Sequence, residues 1–419
     1  MRHTAIARGV AACLLPVPVG LYVGATTFAG GTAWPWQPQM ADLDVYRRAG
    51  AAVLSGTDFY AMQGLPFLYP PFAALLAVPL ALLPPTVAQI GWTTAGVLAI
   101  VAILHRLGLS GPRLSLVAAA ACYFLPPVRE TLGYGQLGIV LVALVLLDLV
   151  PGPRTLPRRL LPEGALTGIA IAVKLTPAIF VLYLLGVGRR RAAVTAAIVA
   201  VTVTLIGWAI APGASLEFWS RLAHGDTGLG HSILYVTNES VTADVLRVLG
   251  LGPFPAAVGL GLSAVVALLG VWAAVLWHRL GDVGLAVTLC GMAGLLASPV
   301  SWLHHFVWIV PLAICLAGRA PGVRPLPASF AITVRPLPAS FAITGWLFAG
   351  WVAAAPFYRL PAGGDVERRW LWWQDLIGSM TALLGIAVLI AAVAAARRRP
   401  LPNDTTARSP STPGPAARR

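Results

Sequence analysis

A single lysine, Lys174, occurs in the chain, inside an apolar stretch and three residues before Pro177. An ammonium buried among apolar side chains is costly unless something pairs with it, so such a lysine marks a functional site by default. The alternative is a long stem that snorkels to an interface. A second cluster is Ser298-Pro299-Val300-Ser301-Trp302-Leu303-His304-His305, where two adjacent imidazoles follow an indole. The spacing is neither H-x-x-x-H nor H-E-x-x-H, so no zinc site is expected. Asp42-Leu43-Asp44 sets two carboxylates ahead of Val45-Tyr46. One carboxylate can act as a general base, and the pair can hold a divalent metal against a diphosphate. Asp44 can equally be the N-cap of the helical stretch that follows. Tyr69, in Phe67-Leu68-Tyr69-Pro70-Pro71-Phe72, stands at a chain kink and offers either a hydroxyl or an interfacial anchor. Gly133-Tyr134-Gly135-Gln136 reads as a helix start, with an amide at Gln136 for a sugar hydroxyl or for capping.

The elements that must position these groups are membrane helices. Of 419 residues, 58% are hydrophobic and only 11% charged, and the mean hydropathy is +0.80. Soluble domains carry about 25% charged residues, which excludes a large soluble enzyme. Several apolar runs exceed the roughly 18 residues of a candidate span. The net charge of +14 would suggest nucleic acid in a soluble chain. Here the arginines cluster between apolar runs, at Arg106/Arg113, Arg154/Arg158/Arg159, Arg189 to Arg191 and Arg397 to Arg399, as positive-inside loops do. No nucleic-acid partner is expected. The four cysteines lie in apolar runs without C-x-x-C spacing and read as small buried hydrophobes. The basic start and the apolar stretch over residues 10–30 lack a small-residue cleavage site, so an uncleaved first helix is expected.

With Arg2 and Arg8 inside, the arginine placement predicts crossings over residues 10–30, 86–104, 114–126, 135–150, 192–211, 255–277, 283–296, 306–317, 339–355 and 372–396. Residues 71–83 lie in or dip into the outer interface. The stretch 164–186 has arginines on both flanks, so a re-entrant pair of short helices broken at Lys174-Leu175-Thr176-Pro177 keeps both flanks inside. The expected architecture is thus an all-α polytopic bundle of about ten full spans and two partial segments. Its outer loops are 31–66, 212–254, 298–305 and 356–370. Residues 323–333 recur identically at 334–344, with the first copy placed in a cytoplasmic loop. Residues 397–419, with six arginines against Asp404, read as a disordered basic cytoplasmic tail that touches anionic lipid.

The acidic residues were not used to fix this topology, and ten of the 15 fall on its outer side. So do Gln136, His224, His231, Asn238, His304 and His305. Apart from Lys174 and Asp148, the spans are nearly free of charge. A transporter or flippase would concentrate polar groups near the midplane and show inverted repeats. The outer face is where chemistry is expected.

Taken in order, Asp42-Leu-x-Val-Tyr46, Tyr69-Pro-Pro, Gly135-Gln136, Lys174-x-x-Pro177, Asn238-x-Ser240 and Ser298-Pro-x-Ser-Trp-x-His-His305 resemble one family across residues 10–396. This is the polyprenol-phosphate-mannose-dependent α-(1→2)-mannosyltransferases of actinobacteria, glycosyltransferase family 87 of the GT-C superfamily, which elaborate phosphatidylinositol mannosides and lipoarabinomannan. The resemblance implies a GT-C domain over 1–396 in the plasma membrane, with its active site on the extracytoplasmic face. It implies an inverting transfer of mannose from polyprenol-phosphate-mannose to a glycolipid acceptor, with Asp42 as the base. Tyr46, Tyr69, Gln136, Lys174, Asn238, Glu239, His304 and His305 are then the substrate-binding set, and Arg47 and Arg129 are further candidates near the phosphate. The family often has Asn-Gln-Ser where this chain has Asn238-Glu239-Ser240. Because the leaving group is a monophosphate, neither a metal nor another cofactor is required. An arabinofuranosyltransferase using polyprenol-phosphate-arabinose is the nearest rival in the same chemistry.

Overall fold

A computed structural model describes residues 9–153, 160–318 and 336–399. Among these residues the chain is helical, with isolated bridges at Thr32–Gln37 and Asn238–Trp302 and no named strand. The first half contains α1 (Gly9–Thr26), α2 (Ala41–Ser55), α3 (Pro71–Leu82), α4 (Pro85–Arg106), α5 (Gly111–Phe124), α6 (Pro126–Tyr134), α7 (Gly138–Leu149), α8 (Ala165–Val173) and α9 (Ile179–Gly186). The second half contains α10 (Arg190–Ile210), α11 (Pro212–Ala223), α12 (Val241–Leu249), α13 (Pro253–Arg279), α14 (Val283–Ala297), α15 (Ile309–Ala317), α16 (Ala339–Ala354) and α17 (Trp372–Arg397). The basic segment 154–159, the first repeat copy and the tail from residue 400 lie outside the described residues.

Among the described residues, six helices are long and apolar enough to cross a membrane, or seven if the bent pair α6–α7 counts as one span. This is fewer than the ten expected full crossings. The difference lies in helix length, because a perpendicular span needs about 20 residues. Val283–Ala297 and Leu303–Ala317 are apolar but shorter than that, and the helix over the expected 114–126 crossing, Gly111–Phe124, has only 14 residues. Helix α14 is buried along nearly its whole length, so it forms the centre against which longer helices pack. Helix α10 shows the opposite design. Ala192, Ala193, Ala196 and Ala200 face inward, while Val194, Ile198, Val201 and Leu205 are exposed along the other side. Small residues bring helices close, and branched ones suit a lipid-facing surface.

The chain reverses within 164–186. A side chain at Gly164 would strike Ala192, and one at Gly168 would strike Ala196 and Val199, so α8 runs alongside α10 in the same direction. Helix α9 then returns, and Glu163 pairs with Arg189 at the two ends of the excursion. The backbone N–H of Gly164 and of Thr167 donate to the Asp148 carboxylate at 3.1 and 3.0 Å. Asp148, one of the two ionisable residues expected inside spans, therefore caps the start of α8.

The candidate active site

Helix α2 begins at Ala41 with Met40 as its N-cap, so Asp42 and Asp44 lie in its first turn. Carboxylates there complement the unpaired N–H groups of the helix start. Asp44 is therefore not the cap. It points outward and pairs with Arg48 Nε at 2.8 Å, with 60% of its side chain exposed. Asp42 turns the other way. Leu43, Val45, Tyr46, Ala49 and Gly50 bury one face of α2, which carries Tyr46 inward one turn after Asp42.

Beneath that face lies the end of α6. Gly135 adopts φ +68°, and its N–H and that of Gln136 return to the last turn. This is the left-handed stop that glycine makes without strain. A side chain here would also meet Leu43 at 2.6 Å. Gly133–Gln136 is thus a helix end rather than a helix start, and the next helix begins at Gly138. The stop places Gln136 at the centre of a polar cluster. Tyr46 Oη donates to Gln136 Oε1 at 2.9 Å, and Gln136 Nε2 donates to Tyr69 Oη at 2.9 Å. The two tyrosine hydroxyls are 3.0 Å apart. Gln136 also bonds the Asp42 carboxyl. Burial pushes that carboxyl up to about 6, against the opposing pull of Gln136 and of the Lys174 charge.

Lys174 stands in extended backbone at the break after α8. Its ammonium is 2.9 Å from His305 Nε2 and 5.5 Å from the centre of the Tyr69 ring. His305 Nδ1 accepts the Trp302 N–H at 3.2 Å, which holds the ring with Nε2 facing Lys174. An anionic oxygen entering beside this pair can accept from the Lys174 ammonium. The His304 ring is 4.6 Å from that of His305 and 5.1 Å from that of Tyr134. Its Nε2 is buried and has no hydrogen-bond partner.

Seven of the expected residues therefore gather: Asp42, Tyr46, Tyr69, Gln136, Lys174, His304 and His305. Asn238 and Glu239 take other positions. Both donors and the acceptor of the Asn238 amide are engaged, with Ile233 O at 2.9 Å, Pro299 O at 3.3 Å and Ser301 N at 2.8 Å. Asn238 thus ties residues 233–240 to the turn that carries the histidines. Glu239 is fully buried, where burial raises its carboxyl well above the usual range despite the nearby Arg247 charge. Arg47 bonds the carbonyls of Leu80 and Leu83 and so closes the end of α3. Sequence reasoning did not pick out Tyr134 or Glu130 as site residues, although their four-residue spacing on one helix could have revealed a shared face.

Asn238→Ala is expected to lower stability by about 1–3 kcal/mol, because it strands the Ser301 N–H and the Ile233 carbonyl. Thermal unfolding in detergent measures the loss. An unchanged midpoint would show that the two loops hold together without the amide.

Residues 67–299 match the model of glycosyltransferase family 87. The chain is 29% identical to the polyprenol-phosphate-mannose-dependent alpha-(1-2)-phosphatidylinositol mannoside mannosyltransferase of Mycobacterium tuberculosis, over 98% of this chain and 97% of the relative. It is 38% identical to the protein of that name from Mycolicibacterium smegmatis, over 67% of this chain and 70% of the relative. It is 32% identical to a Mycobacterium tuberculosis polyprenol-phosphate-mannose-dependent alpha-(1-2)-phosphatidylinositol pentamannoside mannosyltransferase, over 93% of this chain and 89% of the relative. No solved structure matches the chain. The family expected from the motifs is the family found.

Proposed function

Because the chain belongs to glycosyltransferase family 87, and is a hexosyltransferase, we propose that it transfers mannose from polyprenol-phosphate-mannose to a phosphatidylinositol mannoside at the outer face of the plasma membrane, forming an α-(1→2) bond with inversion. The observation that carries this reading is one half-buried carboxylate, Asp42, within charge range of a cationic group, Lys174, beside the Tyr46–Tyr69–Gln136 cluster. A single displacement needs both ends. Asp42 takes the proton from the attacking acceptor hydroxyl as its oxygen bonds to the anomeric carbon. The bond from that carbon to the phosphate oxygen breaks, and Lys174 and His305 receive the charge left on the phosphate. Gln136 and the two tyrosines fix the carboxylate between these events. Electrostatic groups aimed at developing charge act most strongly where water is excluded. Asn238 serves this site through the 298–305 turn. The reversal of 164–186 supports a re-entrant segment that lifts Lys174 towards the outer side from flanks that both remain inside.

A base must be ionised to accept a proton, so the titration of Asp42 sets the acid limb of the pH profile. Transfer is expected to fall about tenfold per unit as pH drops below about 6, the value for the buried carboxyl. Removing the Lys174 charge removes a pull that keeps this carboxyl ionised, so the limb should move to higher pH in Lys174→Met. Initial rates between pH 4.5 and 8 measure both. A flat profile would exclude Asp42 as the titrating base.

The reading as a whole is tested with the purified protein in liposomes that carry polyprenol-phosphate-mannose and a phosphatidylinositol mannoside. The expected product contains one added mannose in α-(1→2) linkage by NMR. A β-linked product, or no glycolipid product, would overturn it.

A further inference from the structure

Glu130 is buried, and the hydroxyl of Tyr358 donates to it at 2.5 Å. Tyr134 lies one turn further along α6, close enough to feel the charges of both Glu130 and Asp42. Tyr235 lies within charge range of Tyr134 and Tyr358 and is edge-on to Trp302, with ring centres 6.4 Å apart. Tyr235 and Tyr358 are 41% and 46% exposed, so these rings front open space rather than the core. The wall is assembled from α6 and three separate outer loops.

We propose that this wall seats the terminal pyranose of the acceptor glycan, with Tyr134 against the ring and the Glu130–Tyr358 pair bonding its far hydroxyls. The inference rests on the transferase reading above and adds where the acceptor lies. The scale fits. From Tyr134, the last residue of α6, back to Glu130 is four residues, or about 6 Å along the helix, the width of one pyranose ring, and Gln136, which bonds Asp42, follows just beyond the helix end. A sugar lying there presents a hydroxyl to Asp42 at one end and bonds the carboxylate at the other. Ligand sites combine aromatic faces with a few placed polar groups in this way. The buried, unpartnered His304 Nε2 beside Tyr134 gives the same seat another group for a hydroxyl. The donor phosphate keeps the opposite end, at Lys174 and His305.

Tyr358→Phe removes only a hydroxyl, and Tyr235→Ala removes a half-exposed ring. In liposomes with both substrates varied, each should raise the acceptor KM about tenfold, as a site built to bond hydroxyls demands, with the donor KM changed less than twofold. A rise in donor KM instead, or no change in either, would overturn the seat and leave the rings as an interfacial belt. The seat is also tested without turnover. Saturation-transfer NMR with methyl α-mannopyranoside should show contact with wild type and lose it in Tyr235→Ala. If wild type transfers no mannose, the transferase reading fails, and the NMR contrast still decides the seat. Equal signals from both proteins, or none from wild type, refute it.

Discussion

Asp42→Asn is expected to lower mannose transfer by at least about 10²-fold, the smaller end of what a positioned general base supplies. Asparagine keeps the size of the side chain and can still bond Gln136, so the cluster of Tyr46, Tyr69 and Gln136 stays in place. What is lost is the capacity to take the acceptor proton. Asp44→Asn is the matched control two residues away. Its carboxylate is exposed and pairs only within its helix, an interaction worth about 0.3–0.5 kcal/mol, so transfer should stay within twofold. Rates in membranes with matched protein levels decide the matter. An active Asp42→Asn protein, or an inactive Asp44→Asn protein, would move the base.

Lys174→Met should lower donor kcat/KM by about 10²–10³-fold, the range seen when a group stabilising transition-state charge is removed. Methionine keeps most of the stem volume, so packing around the break in 164–186 survives. His305→Ala should act on the same step, because His305 Nε2 is 2.9 Å from the ammonium. The two losses should therefore be non-additive, with a coupling of about 0.5–3 kcal/mol, as residues in contact show. His304→Ala reaches Lys174 only through the packed ring of His305, so its coupling should be smaller. Rates against donor concentration for single and double variants give these couplings. Full additivity between Lys174→Met and His305→Ala would assign them separate roles.

Charge and apolarity along the chain sufficed to reveal the helical membrane character, the excursion of 164–186 and most of the polar side chains that the fold brings together. Each is a strong, local signal. A lone lysine in an apolar run, flanked by arginines on both sides, has few ways to fold. The span count was less legible, because α14 and α15 are as apolar as the longer helices and differ from them chiefly in length. Whether a short apolar helix faces lipid or its neighbours is decided by packing, which composition does not carry. The role of Asp44 turned on a shift of register. A helix that starts at Ala41 rather than after Asp44 places Asp42 and Asp44 on different sides. Asn238 and Glu239 lie close to the motif that carries His304 and His305 only through a loop-to-loop bridge, and no spacing in the chain shows which way their side chains turn. The aromatic wall at Glu130 joins residues more than two hundred positions apart, so it exists only in the folded chain.

The central claim is that one site, with Asp42 at one end and Lys174 at the other, moves mannose from a polyprenol phosphate. Its most direct test compares wild type and Asp42→Asn in matched membranes, each supplied with polyprenol phosphate carrying radiolabelled mannose or radiolabelled arabinose. The prediction is label in phosphatidylinositol mannosides from the mannose donor alone, and its loss by at least about 10²-fold in Asp42→Asn. Label from the arabinose donor and none from mannose, or equal transfer by the two proteins, would contradict it.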